Sequence, residues 1–222
     1  MIKIKDLEKS YKGRCVLSVD SLNISKGETV LLAGANGSGK STLLKIIADV
    51  VKSDKGQCIK NGSVLYLPQQ SIGFDMSCFD NLLFGVKKTE ENKEKALSLL
   101  KTAGLYELSN NNAKKLSGGE KQRLALCRVM MRSCDILLLD EPTSAVDTIG
   151  ARLIENMIRD YKKENDCTVI ISLHSPALAK SLGGRMLLLS KGSIIEDGNT
   201  EKVIKNPTSE QGKEFLSQWI IN

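Results

Sequence analysis

The stretch Gly34-Ala35-Asn36-Gly37-Ser38-Gly39-Lys40-Ser41-Thr42 decides the fold of this 222-residue chain. Glycines at these spacings let successive backbone N–H groups converge on phosphate oxygens. The aliphatic run Val30–Leu32 before it reads as a strand. Ser41–Val51 after it reads as a helix, with Leu43, Leu44, Ile47, Ala48 and Val51 on one face. The helix N-terminus adds its partial positive charge at the loop. Lys40 then reaches the β- and γ-phosphates of a nucleotide, and Ser41 offers a hydroxyl to Mg²⁺.

Ile136-Leu137-Leu138-Leu139-Asp140-Glu141 reads as a buried strand with two carboxylates at its end. Open α/β sheets bind ligands at the carboxyl ends of their strands. There Asp140 suits a Mg²⁺ contact and Glu141 suits a general base that polarises an attacking water. A strand ending in acids is common; the phosphate loop elsewhere in the chain gives these two their meaning. In Leu116-Ser117-Gly118-Gly119-Glu120-Lys121-Gln122-Arg123, Ser117 and Glu120 form a capping box ahead of the amphipathic run Leu124–Met131. Gly118 and Gly119 in a first turn cost helix propensity and bare N–H groups, which suits an anion docking there.

The remaining pattern is short apolar runs alternating with helical ones. Ile2–Ile4, Val16–Ile24, Val64–Leu67 and Thr168–Ser172 read as strands, and two more lie across Met186–Glu196 around a Lys191-Gly192 turn. Three helices are expected between Cys78 and Met131, two of them parted by Ser109-Asn110-Asn111-Asn112, and another over Thr148–Glu164. The chain closes on a helix containing Trp219. This is an α/β pattern with a largely parallel sheet, and the segment from about 71 to 131 lacks strand signals, so it forms an inserted helical lobe. The core is then expected at about 1–70 and 132–222.

Composition narrows the chemistry. The single histidine, His174, excludes metal sites built on several imidazoles and any two-histidine mechanism. The net charge is +6, from 32 Lys and Arg against 26 Asp and Glu, but the signs are interleaved and no basic face emerges. No nucleic-acid partner is expected. No apolar run approaches the ~18 residues of a membrane span. The first twelve residues, MIKIKDLEKSYK, are charged from the start and lack a signal-peptide core. Six cysteines without a CxxC pair are accordingly expected to be reduced packing residues of a soluble intracellular protein.

With LSGGEKQR placed between the phosphate loop and the strand ending in Asp140-Glu141, the sequence resembles the ATP-binding cassette (ABC) ATPases over essentially its whole length. The resemblance implies a P-loop NTPase core with a mixed sheet, an N-terminal antiparallel β subdomain and the helical lobe. It makes Gly34–Thr42 the Walker A motif, Asp140-Glu141 the end of Walker B, and Ser117, Gly118 and Gly119 the signature. Tyr11 resembles the aromatic that stacks on adenine, with Val16 beside it. Gln69, in Tyr66-Leu67-Pro68-Gln69, resembles the Q-loop glutamine that meets Mg²⁺ or water. Ser144-Ala145-Val146-Asp147 resembles the D-loop, with Val where Leu is usual. His174 resembles the switch histidine at the γ-phosphate.

The cofactors implied are ATP and Mg²⁺. In this family two cassettes, identical or merely paired, join head to tail, so that Ser117 and Gly119 of one close over the phosphate held by Lys40 of the other. The implied partners are separate transmembrane permease subunits and an extracytoplasmic solute-binding protein, with the cassette peripheral on the inner face of the membrane. The apolar segment Ile72–Phe79 resembles the groove edge that receives a permease helix, although plain core packing accounts for it equally. The tail, Asn206-Pro207 followed by Glu214-Phe215-Leu216-Ser217, resembles importers of amino acids or oxyanions. An exporter or lipoprotein-release motor, or a soluble ABC ATPase acting on DNA or ribosomes, are the alternatives.

Overall fold

The computed structural model describes residues 1–220. Contacts divide the chain into two units. One holds Met1–Tyr66, Asp135–Glu141 and the chain from Asp166 onward; the other holds Leu67–Cys134 and Pro142–Asn165. Up to the first crossing the elements are β1 (Ile2–Tyr11), β2 (Arg14–Ile24), β3 (Thr29–Ala33), α1 (Lys40–Ile47), β4 (Lys55–Lys60) and β5 (Val64–Leu67). Next come α2 (Cys78–Leu83), α3 (Glu90–Thr102), α4 (Gly118–Met130), β6 (Ile136–Asp140) and α5 (Thr148–Asn165). The chain ends with β7 (Thr168–Ser172), α6 (Pro176–Leu182), β8 (Arg185–Ser190), β9 (Ser193–Asn199), α7 (Thr200–Lys205) and α8 (Glu210–Ile220).

In the first unit the six-stranded sheet runs β5-β6-β7-β3-β8-β9, with β6, β7, β3 and β8 parallel and β9 antiparallel to β8. All five positions of β6 and of β7 are buried, as a strand covered on both faces requires. Leu43, Leu44 and Ile47 of α1 share a core cluster with Val30, Leu138, Ile170 and Leu187 of the sheet and Ile2, Ile4 and Leu7 of β1. Each such side chain contributes about 1.5–3 kcal/mol by leaving water. A three-stranded antiparallel sheet, β2-β1-β4, makes up the N-terminal subdomain.

The strands differ from the expected ones for local reasons. β1 runs on to Tyr11 because Asp6 takes φ 50° and the pairing with β4 shifts between Lys5 and Glu8. That bulge moves Leu7 onto the face of Ile2 and Ile4, breaking the alternation that would have marked the strand. The lysine-bearing β4 is an edge strand and carries no apolar signature. Helix α1 stops at Ile47, before the expected Val51, where Ala48 caps it and Asp49 turns left-handed at φ 56°. Helix α6 was not expected; Ser175 caps it with Pro176 at the first position.

The second unit is helical and wider than the segment 71–131. It includes α5, because the Tyr161 hydroxyl donates to Arg132 O at 2.7 Å and lies 3.3 Å from Cys134 Sγ. The segment Ile72–Phe79 is held by hydrogen bonds to Asn81. The buried Asn81 amide accepts from Phe74 N and donates to the carbonyls of Phe74, Met76 and Ser77, while Ile72 stays exposed. Among the described residues all six cysteines are free thiols, and no helix is long and apolar enough to cross a membrane.

Candidate active site

The loop from Gly34 to Gly39 links the end of β3 to the start of α1. A Cβ on Gly39 would come within 2.9 Å of Val16 O, which places Val16 against the loop and explains why this position has no side chain. Lys40 is buried, and its Nζ arches back to donate to Gly34 O at 2.8 Å and Ala35 O at 3.1 Å. Burial pulls the Lys40 pKa down, while the charges of Glu141 and Asp140 pull it back up. The ammonium is therefore poorly solvated and sits in the field of two acids, a setting that favours exchange onto an anionic ligand.

Asp140 ends β6 and is nearly inaccessible at 1% exposure. Its Oδ1 accepts from Ser41 Oγ at 3.0 Å and from Ser172 Oγ at 2.6 Å, and its Oδ2 from Tyr66 OH at 3.3 Å. Burial first, and then the Asp140 charge, push the Tyr66 pKa well up, so the phenol stays a donor. Glu141 follows with φ 49°, a left-handed conformation that costs a non-glycine residue about 1–2 kcal/mol. Its N–H donates to Ser172 Oγ at 2.9 Å and Ser172 O at 3.2 Å, which holds the turn. The bend sends the Glu141 carboxylate to His174, where Oε1 and Nε2 lie 2.6 Å apart. The contact holds the carboxylate and the imidazole ring together at the end of the two strands.

Lys40, Ser41, Asp140, Glu141 and His174 thus form one connected set in the first unit. Ser172 and Tyr66, which the sequence reading gave no role, tie it together. Tyr11 lies in the same unit at the end of β1, with its ring largely exposed and Lys9 Nζ 5.4 Å from the centroid. Asn36 and Gly37 are exposed on the loop; Ser38 is buried, its hydroxyl without a partner among the described residues. Gln69, Ser117, Gly118, Gly119 and Asp147 belong to the second unit. There Ser117 and Glu120 close the expected capping box, with Gly118 and Gly119 in the first turn of α4. Gly118 and Asp147 are exposed, Asp147 Oδ1 accepts from Gly150 N at 2.7 Å, and Gln69 is exposed after β5.

Ser41 and Asp140 suit a hard cation such as Mg²⁺, which takes one or two protein oxygens and completes its shell with water and phosphate. Among the described residues there is no cluster of three or more His, Cys, Asp or Glu that would make a dedicated metal cage.

The model of the ABC transporter family matches residues 17–144. The chain belongs to the ABC transporter family. It is similar to the arginine transport ATP-binding protein of Bacillus subtilis, with 32% identity covering 98% of this chain and 99% of that one. It is also 34% identical to the tungstate uptake system ATP-binding protein of Peptoclostridium acidaminophilum, over 88% of this chain and 97% of the other. Among solved structures, a dimeric ATP-binding cassette in a post-hydrolysis state with ADP and Pi superposes with a TM-score of 0.80 at 28% identity, covering 90% and 99% of the two chains. As an ABC cassette the chain is an ATPase.

Proposed function

We propose that this cassette powers an importer for a small polar solute, an amino acid or an oxyanion, through separate permease subunits on which it sits peripherally. The observation that carries the motor assignment is the Glu141–His174 pair at 2.6 Å beside the Lys40 loop. The relatives' names support import; one names arginine and another tungstate, and in this reading the solute is selected by the partner subunits. A solute-binding protein outside the membrane completes the system.

In this reading Tyr11 stacks on adenine with Val16 beside it, and the N–H groups of Gly34–Thr42 wrap the phosphates. Lys40 transfers its ammonium from the loop carbonyls to the β- and γ-phosphate oxygens. Ser41 and Asp140 would hold Mg²⁺, which when bound supplies positive charge against those oxygens. Glu141 accepts a proton from the attacking water, and His174 orients that carboxylate while its ring faces the γ-phosphate. Ser117, Gly118 and Gly119 of a second copy, followed by its Asp147, close the site from the other side.

The test is Glu141→Gln with ATP and Mg²⁺. Hydrolysis should fall on the order of 10²–10⁴-fold, the usual worth of a general base. Size-exclusion chromatography should then show an ATP-dependent dimer. A variant that remains monomeric would sink the paired-cassette reading, and one that hydrolyses normally would remove Glu141 from the chemistry.

A further inference from the structure

The β8–β9 connection has only two residues, Lys191 and Gly192, since Ser190 pairs with Ser193. Both are left-handed, at φ 48° and 88°, the signature of a tight primed hairpin turn. Lys191 of this turn is exposed, but Gly192 is buried against the rest of its unit. Gly192 N donates to Ser38 O at 3.0 Å, and Gly192 O accepts from Ser18 N at 2.8 Å. A Cβ on Gly192 would fall 2.9 Å from Val16 O and 3.0 Å from its carbonyl carbon, so the approach is as close as backbones allow. One residue upstream of Ser190, Leu189 O would meet a Cβ on Gly34 at 2.3 Å. The end of β8 and its turn therefore back both limbs of the phosphate loop.

The bond to Ser38 O has a directional consequence. The peptide bonds are trans, and in a trans peptide the C=O and N–H point to opposite sides. Fixing Ser38 O toward Gly192 fixes the Gly39 N–H in the direction away from the turn. Resting on the reading of this loop as the ATP-phosphate site, we infer that Gly192 is a positioning residue for that site: its N–H sets the Ser38–Gly39 peptide so that Gly39 N–H donates to phosphate. Gly192 touches no reacting atom; it acts through the loop. Lys191 shares with Ala35, Asn36 and Ser38 the lining of a cavity of about 680 Å³, so the turn reaches the mouth of the same site.

The experiment compares the full wild-type chain with Gly192→Ala and with Gly183→Ala. Gly183 also has a positive φ, 63°, but a Cβ there meets nothing within 4 Å, so it controls for backbone strain alone. Steady-state hydrolysis gives KM and kcat for Mg²⁺-ATP, and competition binding compares ADP with adenosine. Gly192→Ala should raise KM and the ADP Kd on the order of tenfold, the worth of one lost charge-assisted hydrogen bond. Adenosine, which lacks phosphate, should bind as to wild type, and Gly183→Ala should change neither constant. Unaltered ADP affinity in a folded Gly192→Ala chain overturns the inference. A wild-type chain that binds neither ATP nor ADP overturns the nucleotide reading itself, and this inference with it. Should Gly192→Ala not fold, amide hydrogen exchange in the wild type decides: the Gly192 N–H should be protected and slow further when ADP saturates the site, whereas exchange at the rate of an open turn counts against it.

Discussion

The Ser172 hydroxyl donates to Asp140 and accepts from the Glu141 N–H, so Ser172→Ala leaves two groups of a buried network short of a partner. Losing a buried bond to a charged group costs about 1.5–3 kcal/mol, so kcat should fall on the order of tenfold to a hundredfold with a smaller change in KM. Steady-state hydrolysis by the folded variant checks this. Lys40→Ala should instead abolish nucleotide affinity and turnover together, and undiminished turnover would refute the loop assignment. The two residues also differ in how readable they are. Lys40 is announced by its glycines, whereas Ser172 ends an ordinary aliphatic strand and gains its role from β6 beside it, a pairing between distant segments. Glu141 lies between the two cases: its neighbours mark it, but nothing in its surroundings along the chain foretells the left-handed φ that aims it at His174.

One carboxylate anchors the chain where it enters helix α8. Glu196, buried on β9, accepts from Thr208 N and Oγ1 and from Ser209 N and Oγ at 2.6–2.9 Å. Burial raises its pKa, but the Ser209 and Thr208 bonds outweigh burial and hold it below the usual value of 4.5. With the folded pKa depressed, this contribution is fully present above the unfolded value and is lost as pH falls through the lower folded one. Trp219 is the only tryptophan and is half-buried on α8, so its fluorescence should change if the helix leaves its unit. Emission should shift in acid below about pH 4.5, where this carboxylate protonates. In Glu196→Gln the shifted emission should already be present at pH 7; an unchanged spectrum would show that other contacts hold α8. In the helical unit, Tyr161→Phe removes the bond to Arg132 O and should cost about 1–3 kcal/mol, read as a lower midpoint of thermal unfolding. Neither tie shows in local periodicity. The sequence marks α5 as a helix, but a tyrosine on one of its faces does not say which unit will hold it, so the lobe extends past the boundary at 131.

At the scale of the whole molecule, a head-to-tail pair makes a prediction that no single chain can satisfy. Lys40→Ala lacks a working phosphate loop, and Ser117→Arg should lack a working signature. In a mixed pair one of the two sites draws Lys40 and Ser117 from the two intact halves. Mixing equal amounts of these inactive chains should therefore restore hydrolysis to about a quarter of wild type, as expected for random pairing of a closed two-fold dimer. Failure to recover activity, with mixed pairs verified to form, would argue that each chain completes its own site. The overall architecture was largely legible, since strands alternating with helices leave few arrangements open. Strand order was not, because it is a property of pairings between residues far apart in sequence.

That order has a consequence for how such a chain can change. With β7 between β3 and β6, the strands that carry the lysine-bearing loop and the paired acids stand two interstrand spacings apart, about 10 Å, set by backbone hydrogen bonds and spanned by the Ser41–Asp140–Ser172 contacts. Exchanging one residue for another within Thr168–Ser172 leaves this distance as it is. Adding or removing one turns Ser172 to the opposite face of the sheet and withdraws it from Asp140. The strand separation is therefore indifferent to which residues spell β7, whereas the Ser172 contact with Asp140 depends on the length of that strand.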